Sequence, residues 1–79
     1  MTRAEHIEWC KERALKELAF YADDREACKN AFASMTSDLK KHPETEKHGA
    51  IEIGFMMLLA NLREARDRDA MRIFILGFR

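Results

Sequence analysis

Apolar residues recur along the first half of the chain at spacings of three and four. Ile7, Cys10, Ala14, Leu18 and Tyr21 form one stripe, widened by Leu15 and Ala19, while Glu5, Glu8, Glu12, Lys16 and Glu17 fall on the opposite side. A period near 3.6 predicts an amphipathic helix. Thr2 followed by Glu5 has the spacing of a capping box, in which hydroxyl and carboxylate each satisfy one backbone N–H at the helix start. The first helix is therefore expected over Thr2 to Ala22. Asp23 and Asp24 can cap a second, Arg25 to His42, carrying Cys28, Ala31, Phe32, Met35 and Leu39 on one face. Lys40, Lys41 and His42 place cations at its C-terminal end, and Pro43 stops it.

The polar stretch 43–48 reads as a solvated linker that closes this hairpin (2–42). Residues 50–62, AIEIGFMMLLANL, then form an almost wholly apolar run. Its inner stripe is Ile51, Phe55, Leu58, Leu62 and Ala65, but Ile53, Met56, Met57 and Leu59 fill the other sides, so one neighbour cannot cover it. A third helix, Gly49 to Arg66, is expected at the centre of the molecule, with Gly54 marking close approach of another backbone. After a polar break, Asp69 is expected to cap a fourth helix, Ala70 to Leu76, bearing Met71, Phe74, Ile75 and Phe78 around a stop at Gly77. No strand alternation appears. The expectation is an all-α, compact bundle of four helices in one domain, residues 1–79, with the third helix central.

Composition changes this picture in one respect. A 79-residue chain buries only about 60% of the surface it exposes when unfolded, and small domains commonly need a disulfide, a metal or a second copy. Cys10 lies ~20 Å before the hairpin turn and Cys28 ~7 Å after it, too unequal for the ~7 Å limit of a disulfide; both read as free core thiols. A homodimer through the third helix is the remaining route. Lysine plus arginine equals aspartate plus glutamate at 14 each, so no overall field draws the chain to nucleic acid or to an anionic membrane. The N-terminus has no leader-like pattern, and a run of about 13 apolar residues is short of the ~20 that cross a bilayer. Location in the cytoplasm follows as an expectation.

Candidate chemistry is sparse. His42, Glu44, Glu46 and His48 cluster in the linker without the one-turn spacing of a rigid metal site, so no metal and no cofactor are expected. Cys10 follows His6 by one turn, but His6 is expected outside and Cys10 inside, so no nucleophile–base pair and no enzyme activity are expected. Arg63, Arg66, Arg68, Arg72 and Arg79 make the C-terminal quarter basic, the basis of an alternative reading as a nucleic-acid-binding regulator; Asp67 and Asp69 interleave with them and argue for helix pairing instead. Aromatic and methionine side chains are enriched in interface cores, which makes Trp9, Phe20, Met56 and Met57 the candidate partner-binding residues.

The stretch EACKNAFASMTSDLKKHP resembles the second half of a tetratricopeptide-type hairpin, although no second copy is found at that period. Over most of the chain, RAEHIEWCKERAL, NAFASMTSDLKKHPET, GFMML and FILGF resemble a group of small uncharacterised proteins of tailed bacteriophages and prophages. That resemblance implies a helical accessory protein in the cytoplasm of a host bacterium, binding a host or phage protein, or a dimeric virion or assembly component. It carries over no functional residues.

Overall fold

The Thr2 capping box forms as its spacing requires: the Glu5 N–H donates to Thr2 Oγ1 at 3.1 Å and the Thr2 N–H to Glu5 Oε1 at 2.9 Å. From this cap α1 runs over Arg3–Phe20. In the computed structural model, which describes residues 2–47, 49–60 and 63–78, four α-helices and one short 3₁₀ turn succeed one another. Among the described residues there is no strand. Asp23 caps α2, Asp24–Leu39, by accepting the Glu26 N–H at 2.9 Å. The expected buried stripes are in place, with Ile7, Cys10, Ala14 and Leu18 of α1 against Cys28, Ala31, Phe32, Met35 and Leu39 of α2.

Of residues 43–47 after α2, all but Thr45 are exposed. α2 ends at Leu39, four residues before Pro43. Thr45 is fully buried and donates its hydroxyl to the Leu39 carbonyl at 2.6 Å, satisfying one of the acceptors that every helix end leaves open. His42 takes both the Thr45 and Glu46 N–H on its carbonyl, so the chain turns back tightly here.

α3 covers Gly49–Leu59, and the 3₁₀ turn covers Arg63–Ala65, so the expected third helix is shorter and broken; Leu62, assigned to its inner stripe, lies outside the described residues. The larger correction concerns position. α3 packs on α2 through Ile51, Gly54 and Leu58, while Ile53, Phe55, Met56 and Leu59 remain exposed. The hairpin core is closed instead by α4, Arg68–Leu76, through Met71 and Ile75 with Phe78 just beyond. An α1–α2 hairpin offers one broad apolar trough; α4 fills it, and α3 is left on the outer side of α2. Gly54 does mark a close approach, but to a ring. A Cβ at this position would fall 2.1 Å from Phe32 Cε1, so the glycine lets α3 rest directly on the Phe32 face.

α4 begins two residues earlier than its pattern suggests because Asp67, and not Asp69, is the cap, accepting from the N–H groups of Asp69 and Ala70 at 2.9 and 3.2 Å. It is tied antiparallel to α1 at both ends. Arg68 donates to the carbonyls of Leu18, Tyr21 and Ala22 at 2.9, 2.6 and 3.1 Å and pairs with Asp24. Lys11 of α1 donates to the Leu76 carbonyl at 3.0 Å. Both cations sit at helix C-termini, where open carbonyls and the helix dipole favour positive charge. Arg68→Ala is expected to lower unfolding free energy by about 2 kcal/mol, and Arg68→Lys to recover less than half, since an ammonium cannot fork across several carbonyls. Urea denaturation midpoints check this; an unchanged midpoint in Arg68→Ala would contradict the clamp.

Candidate functional site

The four residues expected to touch a partner do not form one patch. Trp9 and Phe20 lie eleven residues apart on α1, or about 16 Å at the helical rise. Trp9 is half-buried, Phe20 is exposed with its ring edge-on to Tyr21, Met56 is exposed on α3 and Met57 is half-buried.

Trp9 belongs to a polar cluster that pattern reading did not find. At its centre Asp38, with a side chain only 2% exposed, accepts from Arg13 Nε at 2.7 Å and Lys41 Nζ at 3.0 Å. Both cations also lie over the Trp9 ring, at 4.9 and 5.6 Å from its centroid, a placement the ring quadrupole favours. His6 stacks on Trp9 and approaches His42. Two signals for this cluster exist in the sequence. Asp38 falls three residues after Met35 on the buried stripe of α2, and an acid in a last turn opposes the helix dipole unless cations hold it.

His6 is buried, against expectation, and contacts Cys10, with Nε2 3.6 Å from the sulfur. The pair nevertheless lacks the geometry of an activated nucleophile. His6 Nε2 is 2.7 Å from the Asp38 carbonyl oxygen, which can only accept, so this nitrogen carries the proton and has no lone pair for the thiol. Burial, reinforced by the Asp38 carboxylate, pushes the Cys10 thiol up to about 11. Burial, with Asp24 second, does the same to Cys28. Both are free thiols held in their protonated, unreactive form.

His42 Nδ1 accepts the Glu44 N–H at 3.1 Å, His48 lies outside the described residues, and among the described residues no group of three potential ligands converges. No helix among them is long and apolar enough to cross a membrane.

The basic C-terminal quarter is largely neutralised within the fold. Arg68 is the α1 clamp, Arg63 pairs with Asp67 at 3.0 Å and Arg72 with Asp69 at 2.9 Å. Arg66 is exposed and, with Arg25, Arg63 and Asp67, lines an open hollow. Arg79 lies outside the described residues. The four arginines expected to track phosphates, Arg63, Arg66, Arg68 and Arg72, therefore do not present a shared cationic row.

What stands out from the surface is α3. At 100° per residue, Phe55, Leu59, Glu52, Met56, Ala60 and Ile53 succeed one another around a single arc of the helix, and all are exposed. Five are apolar, and Leu59 and Met56 are 87% and 68% exposed. A groove of about 420 Å³ adjoins the Phe55 side of this arc, floored by Phe32, Ala33, Thr36 and Leu58 and flanked by Lys29 and Lys40. Thr36 Oγ1 is buried there without a hydrogen-bond partner among the described residues.

Comparison with family models, curated proteins and solved structures found no match to this chain.

Proposed function

We propose that this chain is a non-enzymatic accessory protein of a tailed bacteriophage or prophage that acts by binding protein, in the cytoplasm of its host, with the outward face of α3 as the contact surface. The observation that carries this reading is the continuous apolar arc Ile53, Phe55, Met56 and Leu59 on a helix whose only charge is Glu52. Single exposed apolar side chains are ordinary, but a contiguous patch marks an interaction site. Each of these side chains, once covered, stabilises the complex by up to about 1.5–3 kcal/mol. A homodimer and a host or phage protein are the partners of this reading, and the third helix becomes central only in such an assembly.

Met56→Glu tests it. Met56 is exposed in the single chain, so helix content and melting temperature should change little, whereas a charge at the centre of an apolar contact should abolish association. Tagged wild-type protein is expected to retain a partner from bacterial lysate at low salt that the variant releases. If both retain the same proteins, or the wild type retains nothing but itself, α3 is not the surface through which a host or phage protein is bound.

A further inference from the structure

We propose that the groove between α2 and α3 receives an amphipathic helix of a partner protein, its apolar side against Ala33, Phe55 and Leu58 and two of its carboxylates on Lys29 and Lys40. This groove is a separate surface from the outward arc of α3. At 100° per residue Met56 lies about 160° round the helix from Leu58 and about 100° from Phe55, so of these only Phe55 borders both.

Position along and around α2 sets the size of the occupant. Lys29, Ala33, Thr36 and Lys40 line the groove at spacings of four, three and four, which puts all of them within about 60° on one side of α2 and the two lysines about 16 Å apart. That length is three turns of helix. Phe32 of α2, with Phe55 and Leu58 of α3, supplies the apolar floor and the opposite bank. Gly54 and Phe55 meet Phe32, and beyond α3 the side chains of Arg63 and Arg66 border a hollow with Arg25 near the start of α2. α3 therefore runs back along α2, and a cleft between two antiparallel helices seats a third by fitting its side-chain ridges between theirs.

Charge and hydrogen bonding select the chemistry of that third helix. Lys40 is exposed, and its ammonium has no partner among the described residues. Lys29 is exposed and held only by a 3.8 Å contact to Glu26, the longest ion pair among the described residues. Glu52, the acid of α3, lies about 60° beyond Phe55 toward the outward side and does not line the groove. Between the two lysines the surface is apolar apart from Ser37 and Thr36, whose Oγ1 is buried without a hydrogen-bond partner. A buried hydroxyl in that state calls for a partner, and a helical threonine has two open χ1 rotamers through which to reach one. The complement is a helix with carboxylates eleven residues apart, apolar side chains between them on the same side, and one side-chain amide among these.

Fluorescence anisotropy with the full chain and a labelled synthetic peptide tests the proposal. The probe is an alanine-based helix of about 18 residues, with glutamates eleven positions apart and leucines and one glutamine between them on the same side. It is expected to bind saturably at low salt and more weakly as salt rises. Lys29→Glu and Lys40→Glu, both exposed positions, should each weaken binding about three- to tenfold, because an attractive pair becomes a repulsive one. A peptide with lysines in place of the glutamates should bind the double variant Lys29→Glu/Lys40→Glu and not the wild type. Met56→Glu should leave peptide affinity unchanged, so the titration and the lysate capture judge the two surfaces separately. Absence of saturable binding, or affinity that neither lysine variant alters, overturns the proposal. So does equal binding by a peptide whose glutamates fall on opposite sides of the helix. Loss of binding in Met56→Glu moves the helix to the outward face and overturns the groove as its seat. A labelled single-stranded oligonucleotide that binds where the acidic peptide does not would show that the lysines serve phosphates, which overturns the partner helix.

Discussion

Phe32→Ala is expected to destabilise the chain by about 3–5 kcal/mol, the usual cost of removing a buried aromatic ring. A 79-residue domain has about 4–12 kcal/mol of stability in all, so this one change removes a large share of the margin. The ring is 1% exposed and meets three elements at once: it belongs to α2, receives Gly54 of α3 on its face, and lies 5.3 Å from the Phe55 ring and 6.2 Å from the Phe74 ring of α4. Its loss opens a cavity where α2, α3 and α4 meet. Phe32→Leu should cost less, since most of the apolar volume remains. Urea denaturation gives the free energies, and alkylation of Cys10 and Cys28 gives an independent readout: buried and protonated, they should react slowly in the wild type and rapidly in Phe32→Ala. A variant that melts within a few degrees of wild type with both thiols still protected would show that Phe32 does not join the elements.

The second large effect is expected at Asp38. Asp38→Ala should cost about 3 kcal/mol, the sum expected when two charge-assisted hydrogen bonds to a buried acceptor are removed. The loss should stop short of the upper range for a buried ion pair because Arg13 and Lys41 have side chains 51% and 56% exposed and regain water when the carboxylate is gone. Asp38→Asn keeps the shape and should lose less. Both cations leave their positions over Trp9 if their anchor is removed, so a change in Trp9 fluorescence should accompany the loss of stability. Unchanged fluorescence together with an unchanged denaturation midpoint would show that the carboxylate does not organise this cluster.

The two effects differ in how readable they are from the chain. Phe32 follows from periodicity alone, since it sits on the stripe of Cys28, Ala31, Met35 and Leu39. Asp38 sits on the same stripe, but its charge suggests a solvated position, and only the neighbours that α1 supplies, Arg13 and Trp9, make its burial favourable. The inward turn of His6 escapes pattern reading for the same reason. Its position one turn before Cys10 allows an inward ring, but the acceptor that stabilises it there is the carbonyl of Asp38, thirty-two residues away. Arg68 likewise reads as one of a basic series until the open carbonyls at the end of α1 are set beside it.

The helices, and the starts of α1 and α2, are legible in the chain alone, because capping boxes, stripes of period 3.6 and turn residues act over four or five positions. So are the unbridged state of the two thiols and the demand of residues 50–62 for cover. The order in which the helices stack comes instead from long-range packing. An amphipathic face specifies that it must be buried but not against which partner, and the α1–α2 trough accepts Met71, Ile75 and Phe78 of α4, although the apolar run of α3 is longer. Burial in a core depends on shape and on satisfied polar ends, which Arg68 and Lys11 provide for α4. Hydrophobicity alone leaves α3 on the outside with its apolar arc exposed.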